Sequence, residues 1–270
     1  MSPRSSRPSK AKKPIYGLNV LPSLFSLTNL FFGFMSVLLT FHGRYRLAAL
    51  VIIVAALMDG LDGLVARATH TPSDFGIELD SLADAVSFGL ATSLLVYYWG
   101  MEMAGPPAVF FGFVFLYAGV LRLARYNVRS HAPSDRKHYQ GLTVPSAAIF
   151  MGSVVNFHPV PLAMRESGFL IALLTLIVSL CMVSTLPYPN FIKALMSRRV
   201  NIRTGLIAAI CLFAVLFYTR YFLLVFFGMN VLSGPALAMF RLVKKPPKKR
   251  RARAESRPAP APPGGGAENG

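Results

Sequence analysis

Four aspartates stand at regular intervals in the stretch ALMDGLDGLVARATHTPSDFGIELDSLADAVSFG, residues 56–89: Asp59, Asp62, Asp80 and Asp84. With Asp74 and Glu78, the stretch holds six of the chain's eleven acidic residues, in a protein of formal net charge +17. The flanking sequence is apolar over lengths that cross a bilayer. An aspartate at the centre of a membrane helix costs about 2.5–3.5 kcal/mol on insertion scales, and four close together also repel one another. Arg67 is the one cation inside the pattern, too little to neutralise four carboxylates. Hard divalent cations are the natural partners, and Mg²⁺ commonly combines one or two carboxylates with phosphate oxygens of a substrate. A pair of such ions forms a recurring clamp for displacement at phosphorus. Gly60, Gly63 and Gly76 suit the same purpose: they are poor helix formers but let a bulky phosphate or sugar come near the backbone. Asp74 and Glu78 fall outside the regular spacing and read as solvated loop residues.

The elements that must position these groups are membrane helices. Hydrophobic residues make up 54% of the 270-residue chain, charged residues only 14%, and the mean hydropathy is +0.51. Soluble domains carry about 25% charged residues. Spans of roughly 20 apolar residues are expected near 22–41, 47–68, 80–100, 107–126, 143–159, 168–186, 204–219 and 221–241. The predicted fold is all-α: a polytopic transmembrane bundle with a six-span catalytic core and a C-terminal hairpin, about eight spans in all. No secretory signal is visible at the N-terminus. Lys and Arg cluster in the arm 1–13 and in the tail 243–270, so both ends are expected in the cytoplasm of an inner-membrane protein. The second span then descends to the inner face with Asp59 and Asp62 in its last turns, and the third leaves that face with Asp80 and Asp84. Spacings of i,i+3 and i,i+4 put each pair on one helix face. Two neighbouring helices thereby present four carboxylates at one depth.

Other chemistry is less well supported. Cys181 and Cys211 lie in apolar runs, which argues against a disulfide framework. The five histidines are scattered without metal-ligand spacing. Both tails are polar, basic and rich in Pro, Gly and Ser, a composition of disordered segments. KKPPKKRRAR (244–253) is better matched to anionic lipid beside a final span than to nucleic acid, and no nucleic-acid partner is expected. An ion-coupled transporter would place its carboxylates near the midplane between paired repeats; here they gather at one face and no repeat is visible.

The pattern Asp59-x-x-Asp62-Gly63-x-x-Ala66-Arg67, then eight residues, then Gly76-x-x-x-Asp80-x-x-x-Asp84, resembles the signature of the CDP-alcohol phosphatidyltransferase family at every position. LPSLFSLTNLFFGF (21–34), LRLARYN (121–127) and GLTVPSA (141–147) resemble the integral-membrane phosphatidylserine synthases of that family. The resemblance covers about residues 14 to 240, so a single transmembrane catalytic domain, 14–242, is expected between the two tails. It implies two divalent ions, Mg²⁺ or Mn²⁺, held by Asp59, Asp62, Asp80 and Asp84, with Asp84 also the general base. It implies further that Gly63, Arg67 and Gly76 lie against the cytidine diphosphate of CDP-diacylglycerol, with Thr28 and Asn29 completing that pocket, and that the protein is a homodimer among membrane lipids. The implied reaction transfers a phosphatidyl group to L-serine and releases CMP. Glycerol 3-phosphate, inositol and choline are the alternative acceptors, because the signature is shared by enzymes using each. Serine needs a cation for its carboxylate and an acceptor for its ammonium. Arg122, Arg125 and Asn127 are the candidates for serine or lipid phosphate, followed by Thr143 and Ser146.

Overall fold

The computed structural model describes residues 20–69, 74–130, 141–186, 188 and 219–243. Among these there are helices and turns but no strand. The first two helices, α1 (Val20–Phe41) and α2 (Tyr45–Thr69), form a hairpin closed by a short turn in which Gly43 takes φ +69°. The third rod runs over 74–104 and is one continuous helix of changing pitch. It begins as α3 (Asp74–Asp84), widens into a π-helical turn at Ala85–Leu90, and resumes as α4 (Ala91–Val96). A second π turn follows at Tyr97–Met101, and the rod ends in a 3₁₀ turn at Glu102–Ala104. Beyond it come α5 (Ala108–Ser130), α6 (Val144–Phe157), α7 (Arg165–Val183) and α8 (Thr219–Val243).

Among the described residues four stretches are long and apolar enough to cross a membrane: Leu24–Phe41, Phe75–Ala104, Ala108–Val128 and Arg165–Val183. Val144–Phe157 and Tyr221–Leu237 are shorter apolar helices. The expected spans at 22–41, 47–68, 80–100, 107–126, 143–159, 168–186 and 221–241 each coincide with a helical rod. The expected span at 204–219 and both tails lie almost wholly outside the described residues. The third rod starts six residues earlier than its expected apolar span. Asp74 and Glu78 are part of its first turns rather than of a loop, where acidic side chains favour a helix N-terminus.

Several rods carry an open apolar face of the kind that lipid covers, among them α1, α5, α7 and α8, whereas α6 and the rod over 83–101 are enclosed by the others. Leu27, Phe31, Phe34, Leu38 and Phe41 make such a stripe down α1. The inner faces pack through small residues, which let helix backbones approach where no hydrophobic force separates protein from lipid tails. Gly152 of α6 rests on the backbone of Ala49 in α2, and Gly168 of α7 sits against Ala104. Ser93 donates to the carbonyl of Gly112 at 2.7 Å, tying α4 to α5. Phe88, Leu95, Met101, Phe115, Met151 and Val155 fill the centre.

The rods share a common polarity of ends. The α2 C-terminus, the α3 N-terminus, the α5 C-terminus, the α6 N-terminus and the end of α7 lie toward one end of the bundle. There Leu142 N–H donates to the Cys181 carbonyl at 3.0 Å and Gly141 N–H to Leu186 at 2.9 Å. Gly141 takes φ +83°, and a Cβ on it would lie 2.5 Å from the Met182 carbonyl oxygen, so only glycine fits that crossing. At the opposite end Trp99 Nε1 donates to the carbonyls of His158 (2.8 Å) and Val160 (3.1 Å), pinning the 158–164 connection. Phe157 meets Tyr221 at that end too, so α8 runs antiparallel to α6.

Candidate active site

Asp59 and Asp80 are half-buried and Asp84 is 7% exposed. One carboxylate oxygen from each lies within 4.8 Å of the others. These are three of the four aspartates whose spacing predicts a shared site, one from the last turns of α2 and two from the second half of α3, which ends at Asp84. Asp62, Gly63 and Arg67 occupy the continuous helix α2 beyond Asp59, but their side chains lie outside the described residues. At Gly60, beside Asp59, no heavy atom of the described residues stands within 4 Å of where a Cβ would sit. A ligand can therefore reach the backbone there.

The first helix supports Asp84 from behind. Asn29, fully buried, donates from Nδ2 to Asp84 Oδ1 at 3.0 Å. The approach that permits this bond is made by Gly33, one turn further along α1. A Cβ at Gly33 would fall 2.6 Å from Ser87 Cα, so α1 lies directly on the π turn that follows Asp84. Ser87 Oγ donates to the Asn29 backbone carbonyl at 2.9 Å and locks the crossing. π turns of this kind insert a residue into a helix and re-aim its faces, and they recur at functional sites. Asn29 therefore acts on a carboxylate of the cluster, a contact that its expected place in a nucleotide pocket does not anticipate. Its Oδ1 is buried and accepts no hydrogen bond among the described residues. Thr28 is less engaged with the cluster: its hydroxyl donates to the Leu24 carbonyl at 2.8 Å, within its own helix. Gly76 sits in the first turn of α3.

The basic candidates separate. Arg122, on α5, lies near enough for its positive charge to favour the Asp84 carboxylate, against the repulsion of Asp59 and Asp80. Arg125 donates from Nη1 to the Val183 carbonyl at 2.8 Å, where α7 ends. A guanidinium there satisfies a terminal carbonyl and complements the helix dipole. Asn127 donates to Ser81 Oγ at 2.9 Å and to Glu78 Oε2 at 3.3 Å. Sequence reasoning passed over both of those partners. Thr143 is the N-cap of α6, accepting from Ser146 N–H at 3.3 Å, and its hydroxyl donates to Ser146 Oγ at 2.6 Å. That pair caps a helix.

Three buried or half-buried carboxylates with oxygens this close are costly unless a cation joins them, and oxygen donors at helix ends suit a hard divalent ion. The residues present fit such an ion. The family's sequence model, CDP-alcohol phosphatidyltransferase, matches residues 19–183, which contain every one of these groups. The chain belongs to the CDP-alcohol phosphatidyltransferase family. It is 33% identical over 234 residues to a CDP-diacylglycerol–serine O-phosphatidyltransferase of Helicobacter pylori, covering 86% of this chain and 96% of that one. It is 33% identical over 188 residues to an archaetidylserine synthase of Methanothermobacter thermautotrophicus (66% and 73% of the two chains). A third similar protein, 28% identical over 177 residues, is a CDP-diacylglycerol–serine O-phosphatidyltransferase of Bacillus subtilis (65% and 93%).

Proposed function

We propose that this chain is a phosphatidylserine synthase, which transfers the phosphatidyl group of CDP-diacylglycerol to the hydroxyl of L-serine and releases CMP. The observation that carries the reaction class is the convergence of Asp59, Asp80 and Asp84. The acceptor is argued from the relatives of that name, one of them matched over 96% of its length. Asp59, Asp62 and Asp80 serve as metal ligands and Asp84 as both ligand and general base. Gly63, Arg67 and Gly76 receive the cytidine diphosphate, a planar guanidinium at Arg67 being suited to phosphate oxygens. Two divalent ions, Mg²⁺ or Mn²⁺, when held there offset the charge of the pyrophosphate and of departing CMP.

Asn29 fixes Asp84 through Oδ1, leaving the other oxygen to take the proton of the acceptor hydroxyl. A carboxylate is a weak base for an alcohol, so this transfer has to accompany attack on the lipid-side phosphorus rather than precede it. Arg122, whose charge acts on Asp84 from α5, is the candidate to meet an acidic group on the acceptor. The reading further proposes a single domain over 14–242, both tails and the site on the cytoplasmic side of the cell membrane, and homodimeric assembly; the last is carried by the family resemblance alone. The test is an acceptor panel: CDP-diacylglycerol supplied with serine, glycerol 3-phosphate, inositol or choline in turn. CMP release that depends on serine is the expected result. Release driven by another alcohol at the expense of serine would replace this acceptor with that one.

A further inference from the structure

We propose that Glu78, held by Asn127 on the seam between α3 and α5, is the ammonium-binding half of an acceptor subsite whose carboxylate half is Arg122. The inference rests on serine being the acceptor and adds which residues distinguish a zwitterion from other alcohols. The motif aspartates repeat at positions that face one another; Glu78 falls outside that spacing and is exposed at the rim. It is nevertheless ordered by side chains. Asn127 Nδ2 donates both to Glu78 Oε2 (3.3 Å) and to Ser81 Oγ (2.9 Å), and Ser81 Oγ donates to the Ile77 carbonyl at 3.0 Å. Among the described residues no donor reaches Glu78 Oε1, and the side chain is exposed.

The two helices are antiparallel, so depth along the seam is ordered. Asn127 stands level with Ser81 and Glu78 near the end of the bundle, and Arg122 stands deeper, where it acts on Asp84. An acceptor whose hydroxyl points at Asp84 has its remaining groups on this seam. A 2-amino-3-hydroxy acid carries a cation and an anion there, and the seam offers a carboxylate and a guanidinium. Inositol carries no charge, and glycerol 3-phosphate carries only negative charge, which Glu78 would repel. Glu78 and Asn127 are thus specificity residues: the first touches the acceptor, the second positions the first.

The test is steady-state kinetics on the purified full-length protein with serine and CDP-diacylglycerol varied separately. Wild-type CMP release with serine is measured first; its absence would remove the serine reading, and this inference with it, before any variant is made. Glu78→Gln should raise the serine KM about tenfold or more, the usual worth of a charge-assisted bond, with the KM for CDP-diacylglycerol unchanged. Glu78→Asp should recover part of the loss, and Asn127→Ala should move the serine KM in the same direction by less. Inhibition by ethanolamine, which keeps the ammonium, should weaken in Glu78→Gln, while inhibition by 3-hydroxypropionate, which lacks it, should persist. An unchanged serine KM in Glu78→Gln would overturn the proposal. So would an equal rise in both KM values together with a lower Tm, the result for a mere clamp between α3 and α5.

Discussion

Asp84 is the residue on which most of the chemistry converges, and its surroundings come from three helices. Replacing it by Asn removes both the base and a ligand charge while leaving its shape. Turnover should fall by about 10²- to 10⁴-fold, the range for a general base, with part of the nucleotide-lipid binding kept; single-turnover CMP release measures it. Asn29→Ala would free the Asp84 carboxylate without changing the charge of the cluster. A drop in kcat of about tenfold or more is expected from loss of a hydrogen bond to a charged group, with the KM for CDP-diacylglycerol little altered. A wild-type kcat would remove Asn29 from the positioning role. The aspartates were legible because regular spacing on two neighbouring helices determines which faces meet. The bond from Asn29 was not, because 55 residues separate it from Asp84 and only the packing of α1 brings them together. Glu78 is exposed, as expected, but it stands on a helix rather than in a loop, and its bond from Asn127, 49 residues away, was not legible.

At the scale of elements, the crossing of α1 over the π turn is what puts Asn29 in place. Gly33→Ala would drive a methyl group into Ser87. Overpacking of this kind costs about 1–3 kcal/mol, so a lower Tm in detergent is expected, together with reduced kcat as Asn29 is displaced. An unchanged Tm and kcat would mean that the crossing can relax without effect. Apolar length was sufficient to locate most of the rods, because a bilayer imposes it. The π turns left no such mark: AVSFGL and YYWGM are ordinary apolar helix sequence, and the widened pitch arises from how α1, α5 and α7 pack around the rod. The early start of the third rod was hidden because Asp74, Gly76 and Glu78 interrupt the apolar sequence of its first turns.

Over the whole molecule, α1 begins and α8 finishes at the end that holds the carboxylates. If the basic tail 244–270 only attracts anionic lipid, deleting it should leave serine-dependent CMP release largely intact in membranes; loss of catalysis would give that segment a direct part in the reaction. The central claim is that carboxylates gathered in an apolar, basic protein exist to hold divalent ions against a nucleotide-capped lipid. The most direct measurement is CMP release by the purified protein, with CDP-diacylglycerol and serine present, first in excess chelator and then with Mg²⁺ or Mn²⁺ restored. The account predicts negligible release under chelation and full recovery with the ion. Release at an undiminished rate in the chelator would contradict it.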